Sequence, residues 1–213
     1  MRRFAFYGGS FDPPHLGHLA VARALLRQFE LDHFTFIPAF HAPHKLRKMP
    51  TSAYDRYAML CLATQNDPKT SVSKMELEMP ERPFSVETLT RLIEEFPDDR
   101  IYFVMGADSW MEITAWREWE RVLTLTDHIV VTRPGIDIDV SHVTDDIRKR
   151  IVDLRGNSNG AMVQKRSIFI TNAVNLDISA TEIRRKIREN ESTWRTEVPP
   201  EVANYIEKYQ IYN

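Results

Sequence analysis

The stretch Phe4–His18 constrains this chain more than any other, because it joins a strand, a glycine turn and a helix start. Its apolar run Phe4–Tyr7 predicts a buried strand that the pair Gly8–Gly9 ends. Adjacent glycines have no Cβ atoms, so their main chain can come close to a bulky group. The tripeptide Asp12–Pro14 then predicts the first turn of a helix, where prolines are tolerated. That helix carries apolar residues at helical spacing: Leu19, Val21, Ala22, Leu25, Leu26 and Phe29.

A helix that begins directly after a glycine turn makes a site for an anion. Its free N–H groups and the positive end of its dipole face whatever lies above the glycines. His15 and His18 are three residues apart and project from one face of the first turn. Each ring can donate a hydrogen bond or carry a positive charge near neutral pH. With Gly17 keeping the nearby surface low, a polyanion such as a triphosphate fits this arrangement.

Two other interpretations of the histidines stay open at this point: they are exposed surface residues, or they bind zinc. A helical zinc pair is usually four residues apart with a glutamate between its members. Here Leu16 and Gly17 lie between the two histidines, and no third-ligand pattern lies nearby. The turn also differs from the dinucleotide fingerprint G-x-G-x-x-G and from a P-loop, since no G-K-[ST] follows it.

The string G-G-S-F-D-P-P-H-L-G-H resembles the N-terminal motif of the nucleotidyltransferases that carry (H/T)-x-G-H. More narrowly, the chain from Arg3 to about Tyr212 is similar to the bacterial nicotinate mononucleotide adenylyltransferases. The resemblance implies transfer of an adenylyl group from ATP to nicotinate mononucleotide, which gives deamido-NAD and pyrophosphate in NAD biosynthesis. It implies a Rossmann-like α/β fold with a small helical C-terminal part. Alternating strands and helices likewise predict a doubly wound parallel sheet.

The same resemblance assigns roles to individual residues. Expected ATP-binding residues are Gly8, Gly9, Ser10, Phe11, His15, His18, Ser179, Thr181 and Arg184. Expected nicotinate mononucleotide-binding residues are Lys45, Ser85, Asp108, Trp116 and Arg133. Expected catalytic residues are His15, His18, Lys45 and Arg184, which would align two anions and neutralise the developing charge. Mg²⁺ is expected to arrive on ATP, because the motifs contain no dedicated carboxylate cage.

Lys45 lies in a charged loop, 39–50, which by itself is typical of a solvated surface loop. The loop follows a predicted strand, 33–37, at the edge where open α/β sheets bind ligands, and its A-P-H-K matches the family's P-P-H-K. Arg56, on a predicted helix capped by Ser52 and reaching residue 65, is given only a minor role. The side chains of that helix predicted to face inward are Tyr54, Tyr57, Ala58, Cys61 and Leu62.

Three further motifs follow ends of predicted strands or begin helices. Ser85 is predicted to cap a helix through Phe96, where exposed N–H groups favour a carboxylate, although an ordinary helix cap explains the same residues. Asp108, after a strand predicted at 100–105, suits a ribose hydroxyl because a carboxylate accepts hydrogen bonds. Trp116 aligns with the family tryptophan that stacks on the pyridine ring, although tryptophans here also suit a core.

Ser179 and Glu182 have capping-box spacing and predict a second phosphate-facing helix start, with a plain capped helix as the alternative. The family form I-S-S-T-x-x-R becomes I-S-A-T-E-I-R here, so Ala180 removes one hydroxyl. The remaining predicted elements are strands at 70–77, 128–132 and 167–171 and helices at 145–154 and 198–209.

The totals fit one α/β domain of 213 residues with a helical subregion from about residue 173. The 28 basic and 30 acidic residues nearly balance, which argues against general nucleic-acid binding. No apolar run approaches the ~20 residues of a membrane span and nothing in the sequence resembles a signal peptide, so we expect a cytoplasmic protein without a membrane partner. Cys61 is expected to be a small core residue, with a catalytic thiol as the alternative. The oligomeric state stays open, a homo-oligomer included.

Rival functions also stay open. Phosphopantetheine adenylyltransferase shares both motifs but is typically shorter and lacks the Trp116 region. Nicotinamide mononucleotide could be the preferred substrate, which the turn at Ser85 would decide. A nucleotide-binding module without turnover is an alternative from another class. Fragments of class I tRNA synthetases share H-x-G-H, but no K-M-S-K-S string occurs in this chain.

Overall fold

Seven strands are interspersed with helices in the computed structural model, which describes residues 1–40, 51–79, 83–132, 138–156, 166–174 and 176–212. The strands are β1 Arg3–Gly9, β2 His33–Pro38, β3 Thr70–Val72, β4 Arg100–Gly106, β5 Asp127–Val131, β6 Ile151–Asp153 and β7 Ile168–Thr171. The helices are α1 Leu16–Gln28, α2 Ala53–Thr64, α3 Ser85–Glu95, α4 Ala107–Met111, α5 Trp119–Leu125, α6 Asp145–Arg148, α7 Ala180–Arg188 and α8 Pro200–Tyr209. Short 3₁₀ helices lie at Ile113–Ala115 and Ser192–Thr196.

The strands form one parallel sheet in the order β3-β2-β1-β4-β5-β7-β6. β1 lies near the centre, between β2 and β4, and the strand order reverses direction there. In open α/β sheets a ligand cleft forms at such a switch point, outside the carboxyl ends of the strands. The predicted doubly wound parallel sheet is confirmed, and it places the end of β1 at the switch point.

Both faces of the sheet are covered, because side chains alternate along each strand. Along β4, Phe103 and Met105 enter the cluster that also contains Trp110, whereas Tyr102 and Val104 enter the opposite cluster. Trp110 is fully buried, and its indole N–H donates to the Asp139 carbonyl at 2.8 Å. One of the three neighbouring tryptophans is therefore a core residue, with a hydrogen-bond partner for its polar atom.

The helical part after β7 packs on α2. Its apolar cluster combines Met59 of α2 with residues of α7, the second 3₁₀ helix, α8 and the segment before α8: Ile183, Ile187, Trp194, Val198, Val202, Ala203 and Ile206. The Tyr205 hydroxyl donates to Asp55 at 2.9 Å across the same contact. The predicted terminal helix is thus present, anchored against a helix more than a hundred residues earlier in the chain.

Two predicted elements are wrong at the edges of the sheet. The helix expected at 145–154 ends at Arg148, and Ile151–Asp153 instead forms β6, which pairs with β7. Tertiary strand pairing there outweighs the local amphipathic pattern. The strand expected at 70–77 stops at Val72, since the Leu77 N–H turns back to bond the Lys74 carbonyl at 2.8 Å.

The buried face of α2 differs from the predicted one. Tyr54 is 67% exposed and Cys61 is half-buried, whereas the buried residues of the helix are Arg56, Met59, Leu60 and Thr64. Ser52 caps the helix as predicted, accepting from the Tyr54 N–H at 3.3 Å. The face is rotated because Arg56 finds main-chain acceptors in the interior.

In the described ranges, no helix combines the length and apolar character needed to cross a membrane. The cytoplasmic location and the absence of a membrane partner stay predictions.

Candidate active site

The glycine pair at the end of β1 belongs to the strand and does not follow it. A Cβ at Gly8 would lie 2.9 Å from Cζ of Phe103, and one at Gly9 would lie 2.9 Å from Cζ of Phe11. The close approach predicted for the pair is therefore made by rings of the protein itself. Glycine at both positions lets these rings pack against the strand that carries the site.

α1 begins at Leu16 with His15 as its N-cap residue, so the expectation that Asp12–Pro14 forms the first helical turn is wrong. Phe11 has a φ of 48°, in the left-handed region, which turns the chain before the helix. The Asp12 carboxylate accepts a hydrogen bond from the Tyr212 hydroxyl at 2.7 Å, and its carbonyl accepts one from Arg184. Asp12 thus connects the turn to the C-terminal part and does not cap α1.

The two histidines form a stacked pair at the start of α1. Their ring centroids are 3.7 Å apart with an interplanar angle of 28°, which places both on one face. His15 is only 3% exposed, which does not fit an ordinary surface residue. A Cβ at Gly17 would lie 3.0 Å from two atoms of the His15 ring, so glycine there makes room for it.

The proton position on His18 follows from a local contact. The His15 main-chain N–H donates to Nδ1 of His18 at 3.2 Å. Nδ1 is then the acceptor nitrogen, so the neutral ring carries its proton on Nε2. His18 can therefore act as a hydrogen-bond donor through Nε2 without first becoming charged.

One expected feature of the helix start needs correction. The Leu16 N–H donates to the Glu197 carbonyl at 2.9 Å, so the C-terminal segment occupies one N–H group that was expected to face an anion. The rest of the N-terminal end keeps its positive dipole. Among the described residues, no group of three or more His, Cys, Asp or Glu side chains is arranged to hold a metal. The zinc interpretation therefore finds no ligand set in those ranges.

A cleft lies over this helix start at the switch point. Its walls include Tyr7 from β1, both histidines, Gly106 from β4, Thr132 after β5 and Ile178 before α7. Three of these wall residues come one or two positions before a predicted site residue in the sequence: Gly106 before Asp108, Thr132 before Arg133 and Ile178 before Ser179. The fold thus brings segments more than 160 residues apart in the chain to one cleft.

Arg184 reaches from α7 to the turn before α1. Its Nη1 donates to the Asp12 carbonyl, and its Nη2 donates to the Thr181 hydroxyl at 3.2 Å. α7 begins where predicted, with Ser179 at the N-cap, but the capping box is wrong. The Ser179 side chain makes no capping hydrogen bond, and the Glu182 carboxylate pairs with Arg185 at 2.6 Å.

The start of α3 lies beside the tryptophan segment. Phe84, not Ser85, is the N-cap residue, and its N–H donates to Glu87 at 3.0 Å. Ser85 is therefore the first helical residue, one position later than predicted. The Arg117 guanidinium lies 4.9 Å from the centroid of the Phe84 ring, and its Nη1 is 3.9 Å from Glu87. These contacts bring two expected parts of the nicotinate site together.

The other expected nicotinate mononucleotide residues are less closely defined. Trp116 is half-buried and packs on the core cluster. Asp108 is exposed in the first turn of α4, at the carboxyl end of β4. Lys45 and Arg133 lie outside the described residues, so their expected roles stay predictions.

Sequence reasoning gave little weight to the most buried charge near the site. Arg56 is 1% exposed and donates to main-chain carbonyls of Ser10 at 2.6 Å, Ala39 at 2.7 Å and Thr51 at 2.9 Å. Its placement three and four residues before the apolar Met59 and Leu60 is the signal that could have revealed it.

Glu76 is a second residue that sequence reasoning missed. Its carboxylate accepts from the Thr88 hydroxyl of α3 at 2.9 Å. Burial raises the pKa of Glu76 to about 7, against the opposing effects of the Thr88 hydroxyl, the Phe40 N–H and the charge of Arg56. A carboxyl group that changes its charge near neutral pH therefore lies between α3 and the end of β2.

A parallel sheet with a helix N-terminus and a histidine pair at its switch point defines a nucleotidyltransferase-type protein. The chain belongs to the cytidylyltransferase-like family, whose model matches residues 6–186. Within it, the chain falls among the nicotinate-nucleotide adenylyltransferases. A relative from Thermus thermophilus, named a probable nicotinate-nucleotide adenylyltransferase, is 35% identical over 210 residues, or 99% of each chain. One of the same name from Corynebacterium glutamicum is 32% identical over 99% of this chain and 88% of its own.

Solved structures share the fold. The Plasmodium falciparum nicotinic acid mononucleotide adenylyltransferase complexed with APC matches with a TM-score of 0.74 at 21% identity, covering 100% of this chain and 98% of its own. The same enzyme complexed with NaAD matches with a TM-score of 0.73 at 20% identity. At this identity the likeness establishes the common architecture.

Proposed function

We propose that this chain transfers the adenylyl group of ATP to nicotinate mononucleotide, giving deamido-NAD and pyrophosphate. The observation that carries the proposal is the stacked His15–His18 pair at the start of α1, over the switch point of the sheet. Relatives that share nearly the full length of the chain carry the name of this activity.

The chemistry is a displacement at the α-phosphorus of ATP. A phosphate oxygen of nicotinate mononucleotide forms the new P–O bond, while the bond to the oxygen that bridges to the β-phosphorus breaks. The electron pair of that bond leaves with pyrophosphate. Because the attacking phosphate is already an anion, no general base has to remove a proton. The protein has to align two anions and stabilise the charge that develops between them.

The residues at the glycine turn supply that stabilisation. His18 would donate from Nε2, because its Nδ1 already accepts from the His15 N–H, and the positive end of α1 would face the phosphates. Arg184 places a permanent charge at the carbonyl of Asp12, next to the same turn. Lys45 is predicted to add a second cation from its loop.

Mg²⁺ fits this site as a companion of ATP. The described residues offer no cluster of acidic or imidazole ligands for a protein-bound metal, whereas a triphosphate supplies hard oxygen ligands itself. When bound, the ion would neutralise part of the triphosphate charge. The absence of nucleic-acid binding stays a prediction, and the oligomeric state stays open.

The start of α3 supports a preference for nicotinate over nicotinamide. Main-chain N–H groups at a helix N-terminus favour a carboxylate over a neutral amide. At this helix start Arg117 lies 4.9 Å from the centroid of the Phe84 ring, but Glu87 at 3.9 Å and Glu118 at 4.0 Å offset its charge. A carboxylate on the pyridine ring would therefore be attracted to the N–H groups of the helix, with Trp116 as the flat surface for the ring.

The first test compares three acceptors by pyrophosphate release with ATP and Mg²⁺. We expect turnover with nicotinate mononucleotide well above that with nicotinamide mononucleotide or phosphopantetheine. Equal use of the amide would contradict the carboxylate site at α3. A preference for phosphopantetheine would reassign the substrate, and no release with any acceptor would leave a binding module.

A histidine variant tests the proposed catalytic role. We expect His18→Ala to lower kcat by about 100-fold or more, because a preorganised donor to a developing charge is removed. The matched control is His33→Asn at the first residue of β2, at the opposite edge of the sheet, which should keep wild-type kcat. Equal losses in both variants, or none in His18→Ala, would contradict the role.

A further inference from the structure

The turn between β1 and α1 is held by two guanidinium groups that come from distant helices. Arg56 of α2 donates to the Ser10 carbonyl at 2.6 Å, and Arg184 of α7 donates to the Asp12 carbonyl. The residue between these carbonyls, Phe11, has a left-handed φ of 48°. A bulky side chain rarely adopts this conformation, which persists only where the surroundings fix it.

Arg56 ties the turn to two other segments. Its Nη2 donates to the Ala39 carbonyl at 2.7 Å and, more distantly, to that of Phe40 at 3.4 Å. Its Nε donates to the Thr51 carbonyl at 2.9 Å. With a side chain that is 1% exposed, this planar group is locked in one orientation and fixes the relative positions of three stretches of main chain.

The contact with Ser10 also has an electrostatic consequence. Because the Ser10–Phe11 peptide is trans, fixing its carbonyl toward Arg56 points the Phe11 N–H in the opposite direction, away from the guanidinium. A cation bonded to the carbonyl oxygen polarises the peptide and strengthens the N–H as a donor. The Arg56 charge thus acts on the turn without needing contact with a ligand.

We propose that Arg56 is a positioning residue for adenylyl transfer, which sets the orientation of the Ser10–Phe11 peptide at the phosphate-binding turn. The inference rests on the proposed function and adds a residue that acts through the main chain. A purely structural arginine would affect stability alone, whereas a positioning residue also changes the rate of the chemical step in protein that is still folded.

The test uses Arg56→Met and Arg56→Lys in the full chain, assayed by pyrophosphate release. We expect kcat of the Met variant to fall by about 100-fold, because a small misplacement of the turn is costly. The KM for nicotinate mononucleotide should rise by less than kcat falls, since Ser85 and Trp116 lie on other elements, whereas Arg56 holds the residues on either side of the loop that carries Lys45. The Lys variant keeps the charge but has no planar fork, so it should stay well below wild type.

Arg150 provides the matched control. It also donates to two main-chain carbonyls, those of Leu123 at 2.6 Å and Arg166 at 2.9 Å, but lies next to β6 at the amino edge of the sheet. Arg150→Met should lower Tm and keep wild-type kcat. If it loses as much kcat as Arg56→Met, or if Arg56→Met keeps kcat, the inference is overturned.

Two outcomes separate this inference from the proposed function. If the wild-type protein releases no pyrophosphate, both the proposed function and the positioning role are wrong. If wild type and Arg56→Met are both fully active, only the positioning role is wrong. If Arg56→Met fails to fold, Arg56→Lys tests the inference instead. A kcat of Arg56→Lys within about twofold of wild type would then overturn the inference.

Discussion

At the scale of single residues, Glu76 is a carboxyl group that changes its charge near neutral pH. Its pKa is raised to about 7 by burial, above the ordinary value of about 4.5 that it has in the unfolded chain. Between these values the folded protein holds a proton that the unfolded chain releases, so rising pH favours unfolding. The contribution of Glu76 to the free energy of unfolding therefore falls as pH rises from 4.5 to 7, and it stays constant above pH 7.

We expect Glu76→Gln to become more stable relative to wild type as pH rises. Glutamine keeps an acceptor for the Thr88 hydroxyl and never ionises. Urea unfolding at pH 5 and pH 8 should show the difference in the free energy of unfolding increasing in favour of the variant by about 2 kcal/mol. Glu78→Gln, at an exposed neighbour, is the control and should show no such trend. Parallel pH profiles of wild type and Glu76→Gln would contradict the raised pKa.

The residues recognisable from sequence and those missed differ in what surrounds them. His15 and His18 stand in a local string, so spacing alone placed them together. Arg56 and Glu76 acquire their surroundings only through folding, from carbonyls of other segments and from α3. An arginine on an amphipathic helix ordinarily indicates the solvated face. The sequence pattern therefore predicted the wrong buried face for α2.

At the scale of elements, β5 is buried along its whole length, and its five buried residues include the ionisable Asp127 and His128. His128 has no exposed surface, and its Nδ1–H donates to the Thr126 carbonyl at 3.2 Å. Burial lowers the pKa of His128 to about 3, so the ring is neutral in the folded strand. The unfolded chain takes up a proton there below about pH 6.5, which the folded state does not.

We therefore expect β5 to contribute to acid unfolding. As pH falls from 6.5 toward 3, wild type should lose stability through His128, by about 2 kcal/mol at pH 5 relative to pH 8. His128→Leu has no titrating group at this position, so it does not lose this stability in acid. The difference by which wild type is more stable than the variant should therefore become smaller as pH falls. Thermal unfolding of both proteins across that range measures the change. A deficit that stays constant with pH would contradict a depressed His128 pKa.

Elements were predictable where their local pattern and their place in the sheet agree. β1, β2, β4 and β7 are short apolar runs between turn residues, and all lie inside the sheet. The errors fall on β3 and β6, the two edge strands, which have three residues each. An edge strand pairs on one side only, so few of its residues carry a pattern that local reasoning can detect.

At the scale of the whole molecule, the C-terminal helices share a core with the α/β part. Val202 of α8 is fully buried in the cluster that includes Met59 of α2. We expect one cooperative unfolding transition for the chain, because the sequence predicts a single domain that includes the helical subregion. Val202→Ala should shift that single transition to a lower temperature, at a cost of about 2 kcal/mol for the buried methyl groups.

Calorimetry of wild type and Val202→Ala tests this expectation, because equal calorimetric and van't Hoff enthalpies mark a two-state transition. The control Asn204→Ala, at an exposed position of the same helix, should leave the transition within about 0.5 kcal/mol of wild type. A separate early transition that responds alone to Val202→Ala would show that the helical part unfolds independently.

The overall architecture followed from sequence because alternating strands and helices leave few topologies. What sequence did not indicate is the closure of the site by the far end of the chain. The Glu197 carbonyl accepts from Leu16 and the Tyr212 hydroxyl donates to Asp12, contacts that join positions about 180 to 200 residues apart. No local pattern records such pairs, since each depends on where α7 and α8 pack.

The contact between Tyr212 and Asp12 has a practical consequence for anyone who purifies or immobilises this protein. A tag or fusion partner attached after residue 213 would be only one residue away from Tyr212, whose side chain is bonded to the turn that we propose binds phosphate. Met1 is 88% exposed and precedes β1, whose direction carries the chain toward that turn from the other edge of the sheet. Attachment through the amino terminus therefore keeps a surface, bead or label on the side opposite the proposed nucleotide site.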